Sequence, residues 1–315
     1  MIHLLTSQAG SGACAALLRQ ARLSGIPMAA GRGQGFGDGD VVFAYGASRT
    51  LLAALTPTRA LLINAAIYTK HQQYERLTAA GIPVPRWRRV TGTLVEADVA
   101  AVTGDAGSAI VKPDLGGFGH GVRLVDAAAA AQRPPRPLRR AHVVQEFIPC
   151  GGRCARVVVL GDAVAWAIDR VARDGIVAAY QHGRRGWLEP VRLSPDEERL
   201  CVTAARTLGI EIAGVDLIRS ARGPFILEVN HRFVPYHLRA MYGDVPRRIV
   251  QYLHGRAHDL HGRARQPARA EGGRLRPIVP WRLPRAVGSW RGVHRMAAAG
   301  ATQVNAQQKV ANGRR

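Results

Sequence analysis

The chain has 315 residues and four cysteines, so it can bury a sizeable core without disulfide bonds, and a small disulfide-stapled protein is excluded. Its formal net charge is +22, and residues 255–315 hold 13 basic against two acidic residues, or +11, which is half of the excess. This Arg-, Pro-, Gly- and Ala-rich segment predicts a basic, partly disordered tail through which nucleic acid could bind. The sequence shows neither a signal peptide nor an apolar run of the roughly 20 residues that span a membrane, so we expect a cytoplasmic protein without membrane insertion.

The first 66 residues alternate short apolar runs with helix-like segments, which predicts a small N-terminal domain of the βαβ type. Strands are expected at Ile2–Leu5, Val41–Tyr45 and Leu61–Asn64, and helices at Ala13–Ser24 and Arg49–Leu55. The segment GRGQGFGDGD contains many glycines, but it does not join a strand directly to a helix as a dinucleotide fingerprint requires. We interpret this segment as a flexible connection between elements of the N-terminal domain.

Residues 67–254 predict two α+β lobes, about 67–145 and about 146–254. A helix starts near Ile67 and is ended by AAGIPVP, because Gly81 stops it and two prolines prevent its resumption. The other expected helices are Glu96–Val102, Pro195–Leu208 and Val245–Leu253, and the expected strands are Arg86–Val90, SAIVKP, GVRLVD, HVVQEFI, RVVVLG, AVAWAIDRVA, AGVDLIRS and GPFILEVN. The fold class is therefore α/β in the wider sense, with mixed α+β lobes.

Lysine is rare, since only Lys70, Lys112 and Lys309 occur among 44 basic residues. Lys112 ends a predicted strand, and the loop after it contains Gly116, Gly117, Gly119 and Gly121. Exposed backbone N–H groups in such a loop can bind phosphate oxygens, and a lysine adds a compact positive charge. A structural turn is the alternative, and the Walker pattern is absent because no Gly-Lys-Ser/Thr starts a helix.

Oxygen ligands are predicted on the last hairpin. Glu228 and Asn230 lie two apart on one strand, so they share a face, and the SARG turn can bring Asp216 alongside them. Magnesium prefers such an all-oxygen set and usually retains positions for water and substrate phosphates. A solvated hairpin with incidental charges is the alternative interpretation.

Three further groups of polar residues suggest nucleotide chemistry or metal binding. Gln145 and Glu146 end an apolar strand before Pro149 and Gly151, at a plausible hinge whose edge could bind adenine. Arg156 and Arg170 lie on neighbouring predicted strands and could stabilise a transferring phosphoryl group, although each could instead be an exposed strand residue. Cys150 and Cys154 with His142 lack a fourth zinc ligand, so we interpret the cysteines as buried thiols.

The ordered motifs NAAIYTKHQQYERLTAAGIPVP, AIVKPDLGGFGHGVRLV, VVQEFI, RVVVLGDAVAWAIDRVARDG and AARTLGIEIAGVDLIRSARGPFILEVN resemble the ATP-grasp superfamily, specifically the RimK-type α-L-glutamate ligases. The resemblance covers about Asn64 to Leu253 and implies that two lobes clasp ATP. It implies phosphate contacts for Lys70 and Lys112 beneath the loop 116–121, and an adenine frame of Gln145, Glu146, Phe147 and Ile148. It also implies Mg²⁺ or Mn²⁺ at Asp216, Glu228 and Asn230, with Arg156 and Arg170 near the transferred phosphate. The implied reaction joins a carboxylate acceptor to an amine or amino acid through an acyl phosphate.

The sequence departs from this family pattern at three places. Cys154 replaces an acidic residue that relatives commonly carry in the ATP pocket, which makes nucleotide affinity less certain. Ala178, Ala179 and Tyr180 replace an Arg-Ser-Asn stretch, which argues against glutamate as the amine. His231, Arg232, Phe233, Tyr236 and His237 replace a small-residue loop and could select an unusual acceptor.

Two other functions fit the sequence. An ATP-grasp relative could act as a kinase or form another bond, such as a thioester or an ester. A basic RNA- or ribosome-binding protein could retain the nucleotide fold without turnover.

Overall fold

The computed structural model describes residues 1–7, 11–31, 35–55, 60–104, 107–117, 119–131, 136–172, 186–232 and 244–264. The N-terminal domain is a four-stranded parallel sheet in the order β2-β1-β3-β4. Its strands are β1 (Ile2–Leu5), β2 (Met28–Gly31), β3 (Val41–Ala44) and β4 (Leu61–Ile63), and its helices are α1 (Gly12–Leu23) and α2 (Arg49–Ala53). The predicted βαβ elements are present, and β2 is an additional strand.

The first lobe is a four-stranded antiparallel sheet in the order β5-β10-β7-β8. Apolar side chains of this sheet pack against α4 (Glu96–Ala100) and α5 (Ala127–Ala131). The strands are β5 (Trp87–Val90), β7 (Ser108–Pro113), β8 (Arg123–Asp126) and β10 (His142–Glu146), with a separate pair β6 (Thr93–Leu94) and β9 (Arg136–Pro137). β7 and β8 form the predicted pair on either side of the glycine-rich loop.

The second lobe is a five-stranded antiparallel sheet in the order β13-β12-β11-β14-β15. Its strands are β11 (Arg153–Leu160), β12 (Ala163–Ala172), β13 (Gly186–Pro190), β14 (Ile212–Ser220) and β15 (Gly223–Asn230). Helix α6 (Pro195–Thr207) covers one face, and Ser194 begins it with a capping box to Glu197. The predicted helix start and the predicted final hairpin are both observed.

Helix α3 (Lys70–Ala79) packs with the core of the second lobe. Its Leu77 is buried in the same apolar cluster as residues of α6, β14 and β15. The side-chain oxygen of Gln73 accepts a 2.9 Å hydrogen bond from the backbone N–H of Val229, and the carbonyl of Pro83 accepts one of the same length from Ile226. α3 and the segment after it are therefore fastened along β15.

The side chain of Asn64 joins the N-terminal domain to the second lobe. Its Nδ2 donates to the carbonyl of Ile212 at 2.7 Å, and its Oδ1 accepts from the Ile212 N–H at 3.1 Å. Asn64 has φ +59°, a left-handed conformation that asparagine adopts more readily than most residues. The amide thus meets both backbone groups at the start of β14.

Helix α7 (Val245–Ala264) packs on the N-terminal domain, and its apolar face is buried with β1, β3 and α1. The helix was predicted to end at Leu253, and that prediction is wrong because it continues to Ala264. The first part of the segment assigned to the tail is thus helical, and Arg256 pairs there with Glu211 at 3.0 Å. Residues 265–315, which carry the rest of the predicted tail and its proposed nucleic-acid contacts, lie outside the described residues.

Within the part of the chain that the structure describes, no helix combines the length and apolar character needed to cross a membrane.

Candidate active site

Arg156, Asp216 and Glu228 occupy one row across three adjacent strands of the second lobe. Arg156 on β11 is the register partner of Asp216 on β14, and Asp216 is the partner of Glu228 on β15. Directly opposed residues in an antiparallel sheet project from the same face. Asn230 lies two positions after Glu228 and therefore shares that face, as the sequence predicted.

The Asp216 carboxylate lies between two guanidinium groups. Its Oδ1 is 2.7 Å from Nε of Arg156 and 2.8 Å from Nη2 of Arg170. Burial opposes the charged form of Arg170, but the Asp216 carboxylate and the hydrogen bonds of Arg170 to Asp216 and Cys154 together raise the pKa of Arg170 above its usual value. The two predicted phosphoryl-site arginines and one predicted metal ligand are thus brought together in a charged cluster that balances a buried carboxylate.

Cys154 contributes to the same cluster. Its Sγ accepts a hydrogen bond of 3.1 Å from Nη2 of Arg170, and burial raises the pKa of this thiol to about 11. A neutral thiol at this position leaves Asp216 as the anionic partner of Arg170. Because a thiol is only a weak acceptor, Cys154 binds the arginine less strongly than a carboxylate at the same position would.

Lys70 is the first residue of α3 and contacts both lobes. Thr69 caps the helix, and its capping box with Gln72 fixes where the helix starts. The ammonium of Lys70 donates to the carbonyl of Gly116 at 2.7 Å and lies 3.3 Å from Oε1 of Glu228. Lys70, which was predicted to contact phosphate, therefore lies between the glycine loop and Glu228, which was predicted to bind the metal.

Lys112, the second predicted phosphate lysine, is buried on β7. Its ammonium donates to the hydroxyl of Tyr74 at 2.8 Å. Burial lowers the pKa of Lys112 to about 8, although the nearby Glu228 carboxylate acts in the opposite direction. A lysine with this pKa is still largely charged at neutral pH, but it can release its proton in mildly alkaline solution.

The glycine loop follows Lys112 at the edge of the first lobe. Gly116, Gly119 and Gly121 have φ of +136°, +71° and +75°, conformations that favour glycine. A Cβ at Gly121 would meet Pro113 at 2.9 Å, so both backbone and space require glycine there. Gly117 is exposed and completes the four predicted loop glycines, while the intervening residue 118 lies outside the described residues.

Gln145 and Glu146 end β10, as predicted, and both are buried. Gln145 Oε1 lies 2.8 Å from the Tyr74 hydroxyl. The Glu146 carboxylate accepts hydrogen bonds from Arg86 at 3.3 Å and from Arg222 at 2.7 Å. Burial alone would raise its pKa, but the Arg86 hydrogen bonds and the Arg222 charge lower it below the usual value. The carboxylate thus connects the hinge strand to the β14–β15 turn.

The two residues after β10 leave the strand towards the second lobe. The backbone N–H of Phe147 bonds the carbonyl of Ser108 at 3.1 Å, and Ile148 is buried with Cys154 and Ile218. These contacts place Phe147 and Ile148 at the junction of the two lobes. The adenine frame that the resemblance implied for these residues stays a prediction.

Sequence reasoning missed several polar residues that shape this site. Asp114 accepts from the backbone N–H of His71 at 2.9 Å, and its Oδ2 lies 2.6 Å from Nδ1 of the same histidine. Its carbonyl accepts from the Lys70 N–H at 3.1 Å. Asp114 therefore fastens the start of the glycine loop to the start of α3. The one available signal was its position directly after Lys-Pro in the loop motif; the other missed residues are Tyr74, Arg86 and Arg222.

The predicted acceptor and amine segments are described only in part. His231 and Arg232 lie within the described residues, and burial, with Arg232 adding to it, lowers the pKa of His231. A Cβ on Gly46 would lie 3.0 Å from Cδ of Arg232, so Arg232 packs against the loop after β3. Ala178, Ala179, Tyr180, Phe233, Tyr236 and His237 lie outside the described residues.

The family model of the RimK-like ATP-grasp domain matches residues 69–252, which is more than half of the chain. The chain belongs to the RimK-like ATP-grasp family. This match contains every predicted site residue and runs from the cap of α3 into α7. The resemblance stated from the sequence is confirmed.

Curated relatives of this RimK-like chain are similar over part of their length. A probable alpha-L-glutamate ligase of Cellvibrio japonicus (strain Ueda107) is 40% identical over 125 residues, which are 38% of this chain and 41% of that protein. A probable alpha-L-glutamate ligase of Legionella pneumophila (strain Corby) is 36% identical over 165 residues, which are 51% and 54% of the two chains. The matched regions therefore span about half of these relatives or less.

Solved structures show the same fold. An ATP-grasp ligase, PsnB, complexed with a minimal precursor superposes with a TM-score of 0.61 at 18% identity, covering 81% of this chain and 98% of that one. D-cycloserine synthetase DcsG superposes with a TM-score of 0.58 at 18% identity, covering 82% and 100%. These likenesses confirm the predicted ATP-grasp fold with mixed helices and sheets.

Proposed function

We propose that this RimK-like protein is an ATP- and magnesium-dependent ligase that joins a carboxylate to an amine. The observation that carries the proposal is the position of Lys70, whose ammonium contacts the glycine loop of the first lobe and Glu228 of the second. A phosphate chain bound at this point would meet loop N–H groups, lysine ammonium groups and the arginine pair together. Such an arrangement stabilises charge and aligns reactants, which is what phosphoryl transfer needs from a protein.

The proposed reaction has two steps. A carboxylate oxygen of the acceptor attacks the γ-phosphorus of ATP, the bond to ADP breaks, and an acyl phosphate forms. The amine nitrogen then attacks the acyl carbon, the C–O bond to phosphate breaks, and the amine loses a proton as phosphate leaves. Lys70 and Lys112 are assigned to the phosphate oxygens, and Arg156 and Arg170 to the transferred group, where their positive charge stabilises the transition state.

The chemistry of the oxygen donors fits a magnesium ion. Asp216 and Glu228 supply carboxylates, and Asn230 donates its Nδ2 to the Gly214 carbonyl at 3.3 Å, which leaves its amide oxygen for a cation. Arg156, Arg170 and Lys70 balance the two carboxylates in the protein alone. Asp216, Glu228 and Asn230 would hold Mg²⁺, which when bound neutralises phosphate charge. Among the described residues no group of three or more His, Cys, Asp or Glu side chains forms a metal site, and this set has only two such members.

Adenine is assigned to the junction formed by Gln145, Glu146, Phe147 and Ile148. Because the Glu146 carboxylate is already bonded to Arg86 and Arg222, and its backbone N–H donates to the Arg86 carbonyl at 2.8 Å, we assign recognition at that residue to its backbone carbonyl oxygen. Two matched relatives are named probable alpha-L-glutamate ligases, and a structural neighbour was solved with a precursor peptide. Amino acids and peptides are therefore the first substrate classes to test, with glutamate as the reference amine.

The test is incubation of the full chain with ATP, magnesium and pooled carboxylates and amines, followed by ADP assay and mass analysis of condensation products. We expect ADP to form together with a product lighter by one water than the sum of its two substrates. Lys112→Ala should abolish turnover, and Lys309→Ala is the matched control because that lysine lies outside every family motif. A phosphorylated product without condensation would favour a kinase, and no ATP consumption with any pool would refute the enzyme.

A further inference from the structure

Two histidines on α7 face each other at a distance typical of metal ligands. His254 and His258 are four residues apart, and their Nε2 atoms lie 3.1 Å from each other. Their ring centroids are 4.5 Å apart, and the ring planes are nearly perpendicular at 89°. Histidines at positions i and i+4 of a helix share one face, a spacing that metal sites use.

The pair lies at the border between the buried and the exposed sides of α7. Ile249, Val250 and Leu253 are buried against the N-terminal domain, whereas His258 is exposed and His254 is partly exposed. At 3.6 residues per turn, position 258 projects roughly opposite to 249 and 253, whereas position 254 lies one turn after Val250 and therefore at the edge of the buried face. Water and ions can therefore reach the two imidazoles, and neither histidine is among the residues assigned to the ATP site.

The separation of the two Nε2 atoms matches the distance between two nitrogen ligands of one cation. Zinc–imidazole bonds are about 2.0–2.1 Å, so two nitrogens on one tetrahedral or octahedral ion lie about 3 Å apart. Metal binding requires neutral imidazole, and burial, followed by the charge of His258, lowers the pKa of His254 and so favours its neutral form. A hydrogen bond between the rings also fits a 3.1 Å contact, so the two arrangements must be separated by titration.

We propose that His254 and His258 form a two-histidine binding site for one divalent transition-metal cation such as Zn²⁺, Ni²⁺ or Cu²⁺. Water completes the coordination, since the described residues supply no third His, Cys, Asp or Glu ligand to a cluster. Imidazole suits these cations, whereas Mg²⁺ prefers oxygen ligands and does not compete. The bound ion would join two successive turns of α7 and stabilise the helix.

The experiment is a calorimetric titration of the full chain with ZnCl₂, without nucleotide and with excess Mg²⁺ to occupy oxygen sites. We expect one Zn²⁺ per chain for the native protein and at least tenfold weaker binding for His254→Ala and for His258→Ala, a loss of about 1.4 kcal/mol. His254→Gln keeps the side-chain length and hydrogen bonding, so it serves as a second variant if alanine affects folding.

A displaced-histidine variant is the matched control. His258→Ala combined with Asp259→His keeps the number of histidines but moves one away from the i+4 position, and it should bind as weakly as the single variants. Unchanged Zn²⁺ binding in both alanine variants would place the metal elsewhere and overturn the site. Full binding by the displaced variant would show that helical spacing is not responsible and would overturn it equally. Neither result bears on the ligase proposal, which is measured by ATP turnover.

Discussion

The hydroxyl of Tyr74 lies 2.8 Å from the ammonium of Lys112, and both side chains are buried. The same hydroxyl lies 2.8 Å from Oε1 of Gln145 and 2.7 Å from the carbonyl of Leu227. One oxygen atom of α3 therefore contacts β7, β10 and β15, two strands of the first lobe and one of the second. This contact positions the lysine that we assign to the ATP phosphates.

Tyr74→Phe should reduce ATP affinity or turnover by roughly tenfold to a hundredfold. The change leaves a buried ammonium without its acceptor, and a hydrogen bond to a charged group contributes about 1.5–3 kcal/mol. Steady-state kinetics and nucleotide titration measure the effect. Tyr252→Phe is the matched control, because it removes a hydroxyl that bonds Glu211 at 2.7 Å outside the proposed site. Equal activity of Tyr74→Phe and the native protein would contradict this role.

The affinity with which the protein binds ATP should fall as the pH rises through about 8. Burial lowers the pKa of Lys112 to about 8, so this lysine is protonated below that pH and loses its charge above it. Equilibrium binding of ATP between pH 6.5 and about pH 9.5 is the measurement. Lys112→Arg should bind and turn over less well at neutral pH but should lack this step, because arginine stays charged. A native profile without a step near pH 8 would argue against the lysine assignment.

Asp216→Asn and Glu228→Gln should both weaken magnesium-dependent ATP binding, but only the first should strongly destabilise the fold. Asp216 is the partner of two largely buried arginines, and removing one member of such a cluster costs roughly 3 kcal/mol or more. Glu228 is more exposed and pairs with Lys70. Magnesium titration at fixed ATP, together with urea unfolding, separates the two effects. An unchanged magnesium requirement in both variants would mean that the cation binds elsewhere.

A chain truncated after Leu253 should have a free energy of unfolding about 1 kcal/mol or more below that of a chain truncated after Ala264. The shorter chain loses the Arg256–Glu211 ion pair and Ala257, which packs against the core. Both chains should retain ATP turnover, because the assigned residues lie before position 231. Denaturant unfolding compares them, and equal stability would show that the end of α7 contributes nothing.

Arg222→Ala should lower the free energy of unfolding by about 1 kcal/mol, because the buried Glu146 carboxylate loses its 2.7 Å donor while Arg86 remains. The partial exposure of Arg222 keeps this value below the range of about 1.5–3 kcal/mol for hydrogen bonds to charged groups. Arg199→Ala is the control, since its partner Asp196 is exposed and the loss should be near zero. Equal unfolding curves for the two variants would show that Arg222 does not stabilise the hinge.

Local sequence patterns were sufficient to predict the strands that carry the candidate site residues. The apolar segments AGVDLIRS and GPFILEVN on the two sides of SARG predicted β14 and β15, and their pairing aligned Asp216 with Glu228. Strand β2 was missed because MAAG contains no β-branched or aromatic residue, and its pairing with β1 holds it in place. The predicted end of α7 came too early because Gly255 suggested that the helix ends before it. A glycine inside a helix costs only about 1 kcal/mol, and the helix continues past it.

The contacts that connect the lobes could not be predicted from spacing. Tyr74 meets partners 38, 71 and 153 positions away, and Arg222 meets Glu146 at a distance of 76 positions. Nothing in the sequence near any of these residues indicates its partner, because only tertiary packing brings the strands together. The candidate site was therefore predicted as a set of residues, while the hydrogen bonds that hold its lysines and its hinge required the structure.

Gln73 attaches α3 to β15, so the two site lysines lie on elements that belong to different sheets. Lys70 is anchored with Glu228, while Lys112 belongs to the sheet of the first lobe. A rotation of that sheet about the hinge would have to break the contacts of Asp114 and Tyr74 between α3 and the first lobe before it could change the distance between the two lysines. A nucleotide held by both ammonium groups would connect the two sheets at a fixed distance. The angle between the sheets would therefore show whether a nucleotide is bound.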